Sequence, residues 1–354
     1  MTETDHLGEL QLQLRASPHL KAPDSTPRIM WSVVGSLAPV VAAATYYFGP
    51  SAPLVVAAAT LGALLTERAF GQGGSLGDGS AAITGILLGL TLPPGLPLWM
   101  AFLGGAFGIG FGKLVFGGLG QNVFNPALLG RAFLQAAFPV ALTTWPATDG
   151  GWWQLRGDNL ALPFMSPVPV DAVSSATPLG LMKFESTPTD TWPLMLGDTS
   201  GSLGETAGLL ILVCGGYLAL KNYLNWRIPA SIFGTVAVFS GLLFLLDSAR
   251  FPNPLFALFS GGLVLGAMYM ATDMVTSPVT HAGAWLFGVG IGALVVAIRT
   301  WGGLPEGVMY AILLMNALVP FIDRATQPRP FGTSSPATGS PGTSNPGTGA
   351  EAVS

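Results

Sequence analysis

The sequence is short of charge. Asp, Glu, Lys and Arg make up only 9% of its 354 residues, against about 25% in soluble domains, whose surfaces must be wetted. Half of the chain is hydrophobic, and the mean hydropathy is +0.57. A water-soluble globular fold is excluded on that balance. Cysteine is almost absent too. The lone Cys214 excludes an internal disulfide, and one thiolate cannot by itself hold an iron–sulfur cluster or a structural zinc. Its setting, "LLILVCGGYLAL", reads as a buried, inert thiol. His6, His19 and His281 are scattered without ligand spacing, so no metal site is legible. The N-terminal stretch has no apolar core ahead of a cleavage site, and a cleaved signal peptide is not expected. No nucleic-acid partner is expected either.

What is present is a set of nearly charge-free runs of roughly 17–22 residues, long enough to cross about 30 Å of hydrocarbon as helices. Glycine and proline are abundant, at 48 and 29, which suits close helix packing and broken helices in a membrane. The chain therefore reads as an all-α polytopic membrane protein. Candidate crossings lie near 29–48, 53–67, 78–93, 98–116 and 124–141, then 205–221, 228–246, 254–271, 282–299 and 306–323. About ten spans place both termini on one side. Lys and Arg concentrate on that side, as Arg15, Lys21, Arg28, Arg68, Lys113, Lys221, Arg227, Arg324 and Arg329, which marks it as cytoplasmic. Arg156, Lys183, Arg250 and Arg299 fall opposite, and Arg131 falls inside a span. The expected organisation is a cytoplasmic segment (1–28), a first membrane region (29–141) and an acidic periplasmic loop (142–204). A second membrane region (205–325) and a disordered Pro/Gly/Ser/Thr-rich cytoplasmic tail (326–354) follow.

Internal similarity is visible. "PLWMAFLGGAFGIG" from Pro97 resembles "PLFALFSGGLVLG" from Pro254, and "QNVFNPALLG" from Gln121 lines up with "DMVTSPVTHAG" from Asp273. Chance likeness between glycine-rich apolar runs is the alternative. A real duplication would give each half five helices and hence opposite orientations, an inverted repeat with irregular backbone near its centre. The stretches 73–85, 120–130 and 271–280 suit that role. Asn125 and Ser277 each precede a proline, as a helix cap precedes a first-turn proline. Asp78 and Asp273 are the acids nearest the spans; they are either ion-pathway residues at membrane depth or solvated caps. Arg131 is either a snorkelling residue or a partner for a flavin or phosphate.

One stretch of the acidic loop stands out: "DAVSSATPLG", residues 171–180. Ser174 or Ser175 could cap a helix with Pro178 in its first turn. Alternatively, the Thr177 hydroxyl carries a modification. The loop has no histidine, so a hydrolytic nucleophile would lack a base.

The pattern Asp-x-x-Ser-x-Ala-Thr, here Asp171, Ser174, Ala176 and Thr177, resembles the flavinylation motif of the ion-pumping Rnf and Na⁺-NQR complexes. Ser175 stands where the motif usually has Gly. "SPHLKAPDSTPRIMWSVVGSLAP", "GDGSAAITGILLGLTLPP", "GQNVFNPALLGRAF", "GSLGETAGLLIL", "YMATDMVTSPVT" and "EGVMYAILLMNALVPFID" are similar to segments of the RnfD family and occur in that family's order across about 15–325.

The resemblance implies a phosphoester-linked FMN on Thr177, attached by a flavin transferase on the outer face. It implies a urea-channel-like fold of two inverted five-helix repeats in the bacterial inner membrane. The expected partners are the A, B, C, E and G subunits, the flavoprotein G above all. The expected role is electron carriage coupled to Na⁺ or H⁺ translocation, within a complex that links ferredoxin and NAD⁺. A second, non-covalent flavin such as riboflavin would lie near Asn125 and Asp273. The alternatives are the Na⁺-NQR B subunit and a non-redox channel for small solutes with the same fold.

Overall fold

The computed structural model describes residues 24–71, 75–146, 153–163, 177–185, 187, 189–197, 199–205, 207–248 and 250–328. Asp171, Ser174, Ser175 and Ala176 lie outside the described residues, as do the expected disordered tail beyond 328 and most of the N-terminal segment.

Among the described residues the regular structure is entirely helical. The elements are α1 (Thr26–Phe48), α2 (Ser51–Phe70), α3 (Ser80–Leu90), α4 (Leu98–Ile109), α5 (Pro126–Ala137), α6 (Pro139–Thr143) and α7 (Pro178–Gly180). They continue with α8 (Thr191–Leu196), α9 (Gly208–Leu220), α10 (Arg227–Leu246), α11 (Pro254–Phe259), α12 (Leu263–Leu265), α13 (His281–Trp301) and α14 (Val308–Thr326). Wider π-type turns continue α4 (Gly110–Leu114), α7 (Leu181–Glu185) and α12 (Gly266–Met270). Five helices, α1, α2, α10, α13 and α14, are long and apolar enough to cross a membrane, and α3, α4 with its π turn, and α9 are shorter apolar helices.

The breaks have local causes. Pro139 lacks an N–H and restricts Phe138, which sits at φ −133°, ψ 57°, so the expected 124–141 helix splits into α5 and α6. Gly261 takes φ +66° between α11 and α12, a conformation suited to glycine. The 78–93 run is α-helical only over α3. Beyond it, Gly204 N–H donates to Leu90 O at 2.5 Å and Leu203 N–H to Leu92 O at 3.2 Å, so the incoming chain satisfies carbonyls that a longer helix would have used. Ser277 is not a cap: α13 begins four residues later, and Thr280 Oγ accepts from Gly283 N–H at 2.9 Å.

Glycine sets the tightest helix contacts. A Cβ on Gly62 would lie 2.1 Å from Phe102 O, and one on Gly105 2.0 Å from Ala59 O, so α2 and α4 meet backbone to backbone. Gly288 and Gly292 bring α13 onto the Ser231 and Thr235 side chains and the Ile228 and Ile232 carbonyls of α10. α2 packs on α3 and α4, and α4 on α5; later in the chain, α10 packs on α11 and α13, and α13 on α14. Between the two groups α1 meets α9, and α5 meets α14. In this packing α4 corresponds to α13. The sequence pairing of the Pro97 and Pro254 segments sets α4 beside α11–α12, whereas the order of helix contacts sets α4 beside α13.

The loop after α6 is stitched to the bundle. Ser51 Oγ donates to Asn159 Oδ1 at 2.7 Å and accepts from Arg156 N–H at 2.7 Å, while Asn159 Nδ2 donates to Pro94 O and Leu96 O, both at 2.9 Å.

Candidate cofactor site around Thr177

Thr177 opens α7. Its backbone is extended, Pro178 occupies the first helical position, and Oγ accepts from Gly180 N–H at 3.1 Å. The capping role expected of Ser174 or Ser175 therefore falls to Thr177 itself, which stands directly before the proline. That bond uses the hydroxyl as an acceptor and leaves its proton free for chemistry.

The same residue borders a cavity of about 500 Å³, within the roughly 300–1,000 Å³ range of small-molecule sites. Trp145, Phe184 and Tyr310 supply aromatic surface, and Arg131, Gln135 and Glu205 supply polar groups. Glu185 and Glu306 add two further carboxylates, and the aromatic and polar surface together fit a flat, partly polar ring system.

Charge in the cavity wall is organised around Arg131, which is buried on α5. Its Nη2 meets Glu306 Oε2 at 2.7 Å, and its Nη1 donates to Thr91 O at the end of α3. Glu306 Oε1 in turn accepts from Gly262 N–H at 2.9 Å, in the break between α11 and α12. Glu205 is held by Ser202 Oγ at 2.8 Å. Arg131 does not snorkel. A buried cation must be paired, and this one is paired across the two helical groups.

A second, smaller cavity of about 90 Å³ is bordered by Asn125, Asp273, Ser80, Lys113 and Tyr269. Asn125 Oδ1 caps α5, accepting from Ala127 N–H at 3.0 Å and Leu128 N–H at 3.3 Å. Its Nδ2 donates to Met270 O at 3.1 Å. With the Asn316 amide oriented to satisfy its neighbours, Asn316 accepts from Asn125 N–H and donates to Thr276 O, both at 3.2 Å. Asp273 binds locally, accepting from Val275 N–H at 3.3 Å and Thr276 Oγ at 3.2 Å. Asp78 accepts from Ser80 N–H at 2.8 Å and Ser80 Oγ at 2.6 Å, and its other oxygen lies 3.7 Å from Lys113 Nζ.

The residues singled out in the sequence thus divide. Asn125 and Asp273 share the small cavity with Ser80 and Lys113, Asp78 is one ion pair away, and Thr177 and Arg131 share the large one. Asp78 and Asp273 are not the acids set deepest in the bundle. Glu67, within α2, is fully buried and pairs with Lys113. Glu67, Glu205 and Glu306 were missed because each sits at the edge of an apolar run, where order along the chain suggests an interface. Cys214 is buried and free, as expected.

The family model described as "NQR2, RnfD, RnfE family" matches residues 13–332 of this chain. The chain belongs to that family. Its relatives include the D component of the ion-translocating oxidoreductase complex of Stutzerimonas stutzeri, 42% identical over 88% of this chain and 93% of the relative. The D component of the proton-translocating ferredoxin:NAD(+) oxidoreductase complex of Clostridium ljungdahlii is 40% identical over 90% of this chain and 96% of the relative. Its counterpart in the Na(+)-translocating ferredoxin:NAD(+) oxidoreductase complex of Acetobacterium woodii is 37% identical, over 93% and 98% respectively. These relatives are therefore components of redox-driven pumps, one named for H⁺ and another for Na⁺.

Proposed function

We propose that the protein is the D-type membrane component of an Rnf-like ferredoxin:NAD⁺ oxidoreductase complex, and that it carries electrons through an FMN esterified to Thr177. The observation that carries the site is that Thr177 borders the 500 Å³ cavity. A bound FMN supplies one- and two-electron redox chemistry. Thr177 would fix it covalently, Trp145, Phe184 and Tyr310 would cover its ring, and Arg131 would offer a cation at the polar edge. The small cavity, at about 90 Å³, gives less room for a second flavin near Asn125 and Asp273. Those residues, with Asp78, are instead candidates for the ion pathway.

The packing order supports an arrangement of ten crossings in two inverted five-helix repeats. The relations α2–α4, α2–α3 and α4–α5 recur as α10–α13, α10–α11 and α13–α14, and the cross-contacts α1–α9 and α5–α14 join equivalent helices, as a twofold axis requires. Charge bias supports cytoplasmic termini in a bacterial inner membrane, with Thr177 on the periplasmic side. There an external flavin transferase and the flavoprotein G subunit would reach it, and the A, B, C and E subunits would complete the complex.

The test is a denaturing gel. The full-length chain, co-expressed with a flavin transferase, is expected to fluoresce under ultraviolet light, and Thr177→Ala to be dark. A dark wild-type band rejects the flavoprotein reading. A fluorescent Thr177→Ala band rejects the site.

A further inference from the structure

Between α10, α11 and α13, beside the turn that follows Thr177, lies another pocket, of about 230 Å³. Its charged lining is all of one sign. Lys183, Arg250 and Arg299 border it, and among the described residues no carboxylate does. The remaining wall is largely apolar, with Leu243, Phe251 and Val296.

None of the three cations forms an ion pair among the described residues. Arg299, in the last turn of α13, donates from Nη1 to Ala257 O at 2.6 Å and from Nη2 to Ser260 O at 2.8 Å, while its buried Nε–H has no partner. Lys183 Nζ donates to the carbonyls of Ile298, Arg299 and Leu304 at 3.3, 3.0 and 2.8 Å. Burial alone lowers its pKa, with no carboxylate acting against the shift. Arg250 is exposed and lies over the Phe251 ring at 5.6 Å; its backbone N–H, not its guanidinium, binds Asp247. Glu205 and Glu306, which act on Arg299 electrostatically, border the Thr177 cavity instead and are held there by Ser202, Arg131 and Gly262.

A partly buried group of like charges whose nearest carboxylates are committed to other partners repels itself unless an anion joins it. We propose that this pocket binds a phosphate group, either the headgroup of an anionic phospholipid or a free phosphate. A phosphate offers several acceptor oxygens and negative charge at one point; the Arg250 guanidinium can donate to it, while Arg299 and Lys183, whose protons largely go to carbonyls, add positive charge beside it. The surroundings favour the lipid. Trp301, two residues beyond Arg299, is exposed in the last turn of a candidate membrane span, where aromatic side chains are enriched, and Leu245 and Leu246 of α10 are both at least 80% exposed. Basic pockets between membrane helices hold lipid headgroups in this way. Thr177 does not line this pocket, which shares Leu179 and Pro305 with the Thr177 cavity.

The experiment uses the full-length chain in maltoside detergent without flavin transferase. Its unfolding midpoint is followed during titration with dihexanoyl-phosphatidylglycerol, inorganic phosphate or dihexanoylglycerol, each lipid kept below its micellar concentration. A saturable rise is expected with phosphatidylglycerol and none with the phosphate-free dihexanoylglycerol. Arg250→Gln, which removes an exposed guanidinium from no bond, should weaken the apparent affinity about tenfold, the size of one charge-assisted hydrogen bond. Arg299→Gln should do the same where it folds. A rise with phosphatidylglycerol but not phosphate assigns the lipid source; equal rises at equal concentration assign free phosphate. The proposal is overturned if neither ligand shifts the midpoint, if dihexanoylglycerol shifts it equally, or if Arg250→Gln retains the full affinity.

Discussion

Arg131 and Glu306 are 175 positions apart in the chain and 2.7 Å apart in the fold. Arg131 stands in the middle of α5, Glu306 in the turn before α14, and each also binds backbone from a third element, Thr91 at the end of α3 and Gly262 in the α11–α12 break. One ion pair therefore ties four chain segments beneath the Thr177 cavity.

Removing one partner strands the other. Glu306→Gln or Arg131→Gln should each cost about 3–5 kcal/mol, the range for breaking a buried pair, whereas an Arg131→Met/Glu306→Leu double variant should recover much of that loss. Unfolding of the detergent-solubilised chain measures all three. Additive losses in the double variant would show that the two side chains do not act as a pair.

At its N-terminus α5 is held by Asn125. Asn125→Ala removes a helix cap, worth about 1 kcal/mol, together with the bond to Met270 O. Asn125→Asp keeps an acceptor for Ala127 and Leu128 but cannot donate to Met270. The aspartate variant should thus have the α5 helix intact and a loosened link to the Gly266–Met270 turn. Hydrogen exchange reads the two regions separately, and equal protection at both in Asn125→Asp and wild type would count against the link.

Steric contact decides the third prediction. Gly62→Ala or Gly105→Ala places a methyl about 2 Å from a carbonyl oxygen of the partner helix, so α2 and α4 must separate. Folded yield and unfolding midpoint should both fall, by a margin in the upper part of the roughly 1–3 kcal/mol range for overpacking. Gly35 and Gly216 have no heavy atom within 4 Å of the added carbon. Alanine there is the control and should be neutral or slightly stabilising.

Thr177→Ser keeps a hydroxyl that can both cap α7 and accept a phosphoester, so in-gel fluorescence should survive at reduced extent. Ser175→Gly restores the usual motif residue and should label at least as well as wild type. Fluorescence per mole of protein, after co-expression with the transferase, gives the comparison. Full loss in Thr177→Ser would show that attachment depends on the threonine methyl as well as on the hydroxyl.

Some of these residues carry local signals. Asn125 announces its cap by the proline that follows, and Thr177 was marked by a short polar stretch between apolar runs. Ser277 shows the limit of that logic. It carries the same proline signal, yet a cap is fixed by where the helix starts, and α13 starts after Thr280. Glu306 was hidden because nothing near "PEGV" indicates that Arg131 lies opposite. Glycine spacing in the Pro97 and Pro254 segments likewise records close helix contact and not which helix is met.

The sequence by itself determined that this chain belongs in a membrane, because charge is too scarce to wet its surface, and it marked Thr177, Asn125 and Arg131 as unusual. The tertiary structure decided what surrounds them. Arg131 is paired with an acid 175 positions further along the chain, Thr177 borders a cavity, and Lys183, Arg250 and Arg299 border a pocket that, among the described residues, no carboxylate lines. Composition and spacing report what a residue needs, namely burial, a cap or a partner. Only the packing of distant segments settles which group meets that need, and which charges are left for a ligand.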